Sequence, residues 1–209
     1  MLEEEGYLST PKARNIIQAT YQTIVERGMC EMTTKMISER AGASKGLIHY
    51  YFDSKDMLIV EVIRAVLEDL LGTVGGVLEQ YPDNRDRIDK GLSDFWEGFK
   101  ADPGVLIAIY EAHINGRRSP KIRERMAEFY RGVERQLEDS VVAGMDMPGD
   151  ISRKDVEAVV ALLLWVIMGM TMQYIQDPEN TDFDYTLAMF KRVLKTLLYN
   201  PGAFNGETG

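Results

Sequence analysis

The stretch that decides the fold reads Thr33-Thr-Lys-Met-Ile-Ser-Glu-Arg-Ala-Gly-Ala-Ser-Lys-Gly-Leu-Ile-His-Tyr-Tyr-Phe52. Ile37 and Ala41 stand four apart, on one face of a short helix. Gly42 follows where the chain must leave that helix, and glycine enters the left-handed conformation of a helix end at least cost. Ser44 caps a second helix, on which Ile48 and Phe52, again four apart, point back at the first pair. Two short helices joined by a three-residue, glycine-containing turn make a helix-turn-helix. That packing leaves Lys45, Gly46, His49 and Tyr50 facing solvent. Lys45 brings a phosphate-seeking charge, Gly46 a close backbone approach, and His49 and Tyr50 ring donors and acceptors that reach base edges or phosphates. Thr33 and Thr34 open the preceding helix, where hydroxyls and free N–H groups hold a phosphate oxygen. Lys55 adds a cation. On periodicity alone, an αα-hairpin of an ordinary helical protein, with His49, Tyr50 and Tyr51 half-buried, fits this pattern equally well.

Outward from this stretch, nearly every segment reads as helix. Thr10-Pro11, Asp102-Pro103 and Ser119-Pro120 each place an oxygen acceptor before a proline at the first helical position. Ser54, Ser152 and Asp182 are further caps. The expected helices are 11–28, 34–41, 45–51, 55–80, 84–101, 103–115, 120–144, 153–176 and 183–199. No β-branched run of period two interrupts them, so the fold class is all-α. A three-helix head (residues 1–55) precedes a six-helix body (residues 56–209), and the helix beginning near Lys55 joins them.

Composition agrees. The 209 residues are 45% hydrophobic and 27% charged, which excludes a disordered or collagen-like chain. The single cysteine, Cys30, forms no internal bridge, as in a reducing compartment. The N-terminus lacks the pattern of a signal peptide. The most apolar run, Ala158 to Met172, is 15 residues, short of the roughly 20 that span a bilayer. These features predict a cytoplasmic protein that does not engage membranes. Net charge is −9, yet residues 10–55 hold seven basic and four acidic residues. A mildly basic head sits on an acidic body, with Glu3, Glu4 and Glu5 ahead of it. The tail, residues 200–209, is expected to fray.

In the body, Ala158 to Met172 is apolar all round, and such a helix must be buried on every side. The last helix is amphipathic, with Phe183, Leu187, Phe190, Leu194 and Leu197 on one face. A four-helix bundle with a second copy, through Leu162, Val166, Gly169, Leu187, Phe190 and Leu194, is the expectation; a core helix within one subunit is the alternative. Trp96, Phe99, Tyr110, His113, Phe129, Trp165, Met168 and Met172 are candidates to line a pocket, since methionine adapts to varied ligands and rings orient a polar end. For any single one of them, plain core packing is the commoner role. Asp94, Glu97 and Glu111 favour a cation if they turn inward. With two histidines and one cysteine, there is no metal-ligand spacing and no cofactor motif.

Ile17, Ala19, Glu26-Arg-Gly28, Thr34, Ile37, Ala41-Gly-Ala-Ser-Lys-Gly46, Ile48, Tyr51-Phe52, Ser54-Lys55 and Leu58 resemble the DNA-binding head of the TetR family of bacterial transcriptional regulators. The resemblance covers residues 11–60. It implies a homodimer whose two heads read a pseudo-palindromic site on double-stranded operator DNA, with repression relieved by a small-molecule effector. By position it assigns Lys45, Gly46, His49, Tyr50 and Tyr51 to groove and phosphate contacts, and Thr33, Thr34 and Lys55 to backbone clamps. Two departures stand out. Leu47 replaces a small polar residue and offers only methyls to a thymine, and His49-Tyr50 inverts the commoner order. The segment Met168 to Pro178 is weakly similar to the body of betaine-responsive repressors in that family.

In such a regulator the third helices would enter successive major grooves about 34 Å apart. An effector that tilts the fourth helix needs only about 2.7 kcal/mol of differential binding to weaken the operator about 100-fold. An enzyme is disfavoured because no phosphate loop, zinc-protease motif or nucleophile set is present. An interaction module that has lost DNA binding is the third class. It predicts a flat salt response where a DNA binder shows a steep one.

Overall fold

The computed structural model describes residues 10–144 and 152–199. Glu3, Glu4 and Glu5, the connection at 145–151 and the tail at 200–209 lie outside the described residues. Among those described, there is no strand. Nine helical rods follow in order: α1 (Pro11–Glu31), α2 (Thr34–Ala41), α3 (Lys45–Tyr51), α4 (Lys55–Gln80), α5 (84–101), α6 (Gly104–Gly116), α7 (Pro120–Ala143), α8 (Arg153–Gln176) and α9 (Phe183–Tyr199). The all-α expectation holds.

Local chemistry sets the helix starts. The Thr10 hydroxyl accepts from the Ala13 N–H at 3.2 Å, Ser54 from Met57 at 3.2 Å, and Asp182 from Tyr185 at 2.9 Å. Ser152 and Asp155 form a reciprocal capping box at α8, and the bonds from Ser152 hold the Asp155 carboxyl below its ordinary range. Each such cap stabilises a helix start by about 1 kcal/mol. Two helices are interrupted. α1 breaks at Gly28, whose φ of 74° is open to glycine and strained for other residues. α5 is composite: Asn84–Asp86 and Leu92–Ala101 flank a π-helical turn, Arg87–Gly91.

The chain forms two compact units, one of residues up to Leu70 with Gly104–Phe129, the other of Leu71–Pro103 with the residues from Tyr130 on. The first unit therefore extends past residue 55. Leu58, Val62 and Ile63 of α4 are buried in it, and α6 packs on α1. Its interior holds Ile16, Ile24, Met32, Ile37 and Ile109, each almost wholly excluded from solvent. Burial of one such side chain stabilises by about 1.5–3 kcal/mol.

The second unit is built on Ile88, Val159, Phe190, Leu194 and Leu198. Beside them Trp96, Phe99, Tyr174 and Phe183 form an aromatic cluster in which Trp96 meets Phe99 and Tyr174 at 5.4 Å between centroids. The Trp96 indole N–H donates to Asp184 at 2.8 Å. This and Lys100 hold the Asp184 carboxyl below its ordinary range.

The last two helices divide the residues expected at the dimer face into two groups. Leu187, Phe190 and Leu194 are buried inside the subunit, and Val166 packs against the same core. The apolar face of α9 is thus taken up by its own chain. Leu162 and Gly169 are exposed. They share an exposed stripe of α8 with Trp165 and Met172, and α9 exposes Tyr185, Met189 and Val193. α8 is also 24 residues long and apolar enough to cross a bilayer by length and composition, where the 15-residue run in the sequence falls short. Its Val156, Val159, Val160, Met170 and Thr171 are nonetheless buried in the unit.

Candidate functional site

In the head, the turn between α2 and α3 is fixed by bonds its own residues supply. Thr33 caps α2, its hydroxyl accepting from the Met36 N–H at 3.2 Å. Gly42 closes α2 with a φ of 58°, its N–H donating to the Glu39 and Ser38 carbonyls. Asn15 of α1 donates to the Ala41 carbonyl at 2.8 Å, pinning the turn from behind. Ser44 starts α3 by accepting from Leu47 at 3.1 Å. Ile48 and Phe52 are each 3% exposed and Ile37 is fully buried, so one side of α3 is anchored as the spacing predicts.

The other side of α3 is open. Lys45, Gly46 and His49 are exposed, and Tyr50 is 66% exposed, its ring edge-on to Tyr51 at 5.4 Å. Leu47, Tyr51 and Thr34 are half-buried and Thr33 is exposed. The Lys55 ammonium donates to the Met32 carbonyl, tying the start of α4 to the chain after α1. Behind this face, Arg40 forks onto Glu26, one arm at 2.9 Å, which holds the Glu26 carboxyl below its ordinary range.

The break at Gly28 has a partner in α6. The Met29 N–H donates to the Glu111 carboxylate at 2.8 Å, and a Cβ at Gly28 would lie 3.2 Å from Glu111 Oε1. Cys30 is exposed, its thiol 3.8 Å from the Asn115 side-chain oxygen.

The second unit holds a cavity of about 150 Å³. Its wall is largely valine, leucine and isoleucine from α4, α5, α7, α8 and α9, with Phe95 as the one ring, and its polar lining residues are Asn84, Arg87 and Ser140. Arg87 bonds to each of the other two. The Arg87 Nη1 donates to Asn84 Oδ1 at 3.0 Å and to the Ser140 carbonyl at 2.5 Å, while Nη2 donates to the Leu78 carbonyl at 3.3 Å. Asn84 itself donates to the Val141 carbonyl at 2.7 Å. Burial lowers the Arg87 pKa from its ordinary value, and a guanidinium stays charged through such a shift.

None of the eight aromatic, methionine and histidine residues expected in a pocket lines this cavity. Trp96 and Phe99 belong to the aromatic cluster. Trp165 and Met172 are exposed, and Met168 is half-buried, accepting from the Tyr130 hydroxyl at 3.4 Å. Phe129 is buried, Tyr110 half-buried and His113 exposed, all in the first unit. The carboxylates expected to draw a cation are engaged elsewhere: Asp94 with the Tyr81 hydroxyl at 2.6 Å, Glu97 with Lys100 at 2.7 Å, and Glu111 with Met29. Residue type pointed to rings and thioethers, whereas aliphatic residues form the wall. Asn84 and Arg87 went unrecognised because a polar pair at a helix start reads as solvated.

Residues 16–62 match the family described as bacterial regulatory proteins, tetR family, the segment that carries α3 and its open face. The head of the chain thus carries the pattern of that family. The chain's similarity to TetR-family and related regulators extends beyond the head. It is 25% identical over 154 residues to the HTH-type transcriptional regulator BetI of Agrobacterium fabrum, covering 73% of each chain. It is 22% identical over 171 residues to the HTH-type nicotine-responsive transcriptional repressor HdnoR of Paenarthrobacter nicotinovorans, covering 81% of this chain and 86% of that one. Among solved structures, a TetR transcription regulator from Haloarcula marismortui superposes with a TM-score of 0.73 at 23% identity, over 90% of this chain and 96% of the other. The family's head thus explains the exposed α3, and the wider fold is shared.

Proposed function

We propose that the protein is a homodimeric transcriptional repressor, released from a palindromic operator when a small molecule occupies the cavity of the second unit. One observation carries the reading: α3 is anchored by Ile48 and Phe52 and presents Lys45, Gly46, His49 and Tyr50 to solvent, within the segment that matches the family. A helix so held enters a major groove, with Lys45 on phosphate and His49 and Tyr50 toward base edges. Thr33 and Thr34 bring hydroxyls and the start of α2 to the flanking phosphates. The reading makes the protein a cytoplasmic regulator and not an enzyme.

The exposed stripes of α8 and α9, Leu162, Trp165, Gly169 and Met172 with Tyr185, Met189 and Val193, form the face that meets the second copy. Isologous association covers such an apolar face. It also answers the membrane-like length of α8 without a bilayer, since the opposite side of that helix is already in the subunit's core. HdnoR is named a nicotine-responsive repressor, which supports a ligand-responsive body here. α4 contributes residues to both units, and we assign to it the transmission of effector binding to the head.

Selection from a pool of random duplexes is expected to recover an inverted repeat with half-sites about 34 Å apart. Binding to it should fall steeply between about 50 and 200 mM salt. Lys45→Ala should weaken binding to every duplex and reduce the salt slope by about 1, while His49→Ala should change sequence preference. A flat salt response, or equal loss on selected and random duplex with His49→Ala, overturns the assignment.

A further inference from the structure

We propose that the cavity of the second unit takes an apolar compound with an anionic end, of the medium-chain carboxylate class, and that Arg87 receives its carboxylate. The inference rests on reading this cavity as the effector site. Three observations carry it.

First, the polar lining is confined to one cluster. Asn84, Arg87 and Ser140 are bonded together, and the rest of the wall is apolar, so the site has one polar end and an apolar remainder. The volume, about 150 Å³, is on the order of the engineered void that admits benzene. One alkyl chain or a single ring fits.

Second, no carboxylate among the described residues bonds the guanidinium, and Asp83 acts on it only through space. The arms of the guanidinium end on the Leu78 and Ser140 carbonyls, in the last turns of α4 and α7, where helix dipoles supply partial negative charge. The Arg87 Nε–H has no acceptor and is buried, and it is the one such side-chain nitrogen or oxygen among the described residues. Leaving a buried donor unmet costs about 1–3 kcal/mol, a cost that a ligand oxygen would remove. Arginine suits a carboxylate because its planar fork matches two oxygens.

Third, the surroundings keep this cluster in place and turn cations away. A Cβ at Gly144 would lie 2.6 Å from Arg87 Nη1 and 2.7 Å from Asn84 Oδ1, so glycine there leaves room for the pair. Arg87 opens the π-helical turn, a backbone feature frequent at functional sites. No described lining residue is acidic, and Phe95 alone makes no aromatic cage. A quaternary ammonium would meet the positive charge of Arg87 with no carboxylate among the described lining residues to receive it.

Calorimetric titration of the full-length protein with octanoate, 1-octanol and octyltrimethylammonium tests this. Octanoate should bind at least about tenfold more tightly than 1-octanol, as expected for one charged hydrogen bond, and the ammonium should not bind. Arg87→Met should reduce octanoate to the affinity of 1-octanol while leaving 1-octanol unchanged. If that variant does not fold, Arg87→Lys, which keeps a charge but lacks the fork, should lose most of the advantage. Absence of octanoate binding at millimolar concentration, preference for the ammonium, or an undiminished advantage in the arginine variants overturns the proposal. Leu163→Trp separates the two readings. If it blocks octanoate and 1-octanol alike while the arginine variants change nothing, only the carboxylate assignment fails. If it blocks neither, the cavity is not the effector site.

Discussion

In the first unit Ile37, Ile48 and Phe52 are at most 3% exposed and the α2–α3 turn is bonded from Thr33 to Ser44. In the second unit a void of about 150 Å³ opens beside the core, a buried arginine N–H lacks an acceptor, and apolar stripes of α8 and α9 face outward. The two differ in what they leave unmet. A helix that must fit a groove of fixed width is held from behind by filled packing and closed hydrogen bonds. A body that admits a guest and a second copy, as proposed for this one, keeps unfilled volume and uncovered surface. The first design favours a single geometry, the second a response.

Truncation measures this contrast most directly. Ile37→Ala should cost about 2–5 kcal/mol, because closely packed neighbours collapse only partly into the gap. Leu163→Ala, on the cavity wall, should cost distinctly less, since part of its surface already faces a void. Chemical denaturation of both variants reads the difference, and equal losses would break the contrast. Gly28→Ala should come next, at about 1–3 kcal/mol, from a strained positive φ and crowding at Glu111. Glu111→Gln should be milder, because an amide oxygen still accepts from Met29. If Gly28→Ala is neutral, the break in α1 carries no strain.

The smallest effect lies at Asp184. Its carboxyl is held below the ordinary range by Trp96 and then Lys100, so the stability it contributes is fully present above the unfolded carboxyl pKa of about 3.9. That contribution is lost as pH falls through the lower folded value. The side chain is largely exposed, which screens the interaction to under about 1 kcal/mol. Melting temperatures of the wild type and Asp184→Asn should differ at pH 6 and converge below about pH 3. A constant gap across that range would show that the charge is irrelevant to the indole bond.

What the sequence disclosed follows how local each feature is. The turn at Gly42 and Ser44 was legible because capping and left-handed glycine involve neighbours in the chain, and the anchoring of Ile48 and Phe52 follows from helical spacing. The period of α9 correctly marked Leu187, Phe190 and Leu194 as buried, but periodicity names a face and not what covers it, and the covering is the subunit's own core. The cavity was hidden for a related reason. Its wall is ordinary aliphatic residues gathered from five helices, and Arg87 becomes distinctive only when the π-helical turn and the ends of α4 and α7 converge on it.

The single thiol has a practical consequence. Cys30 is exposed next to the Gly28 break in α1, and no other cysteine competes with it. In the proposed homodimer, one spin label attached there to each copy would report a single interlabel distance, a ruler between the two heads that requires no engineered mutation. Recorded with and without octanoate, that distance would register the spacing change that the proposed release from the operator entails.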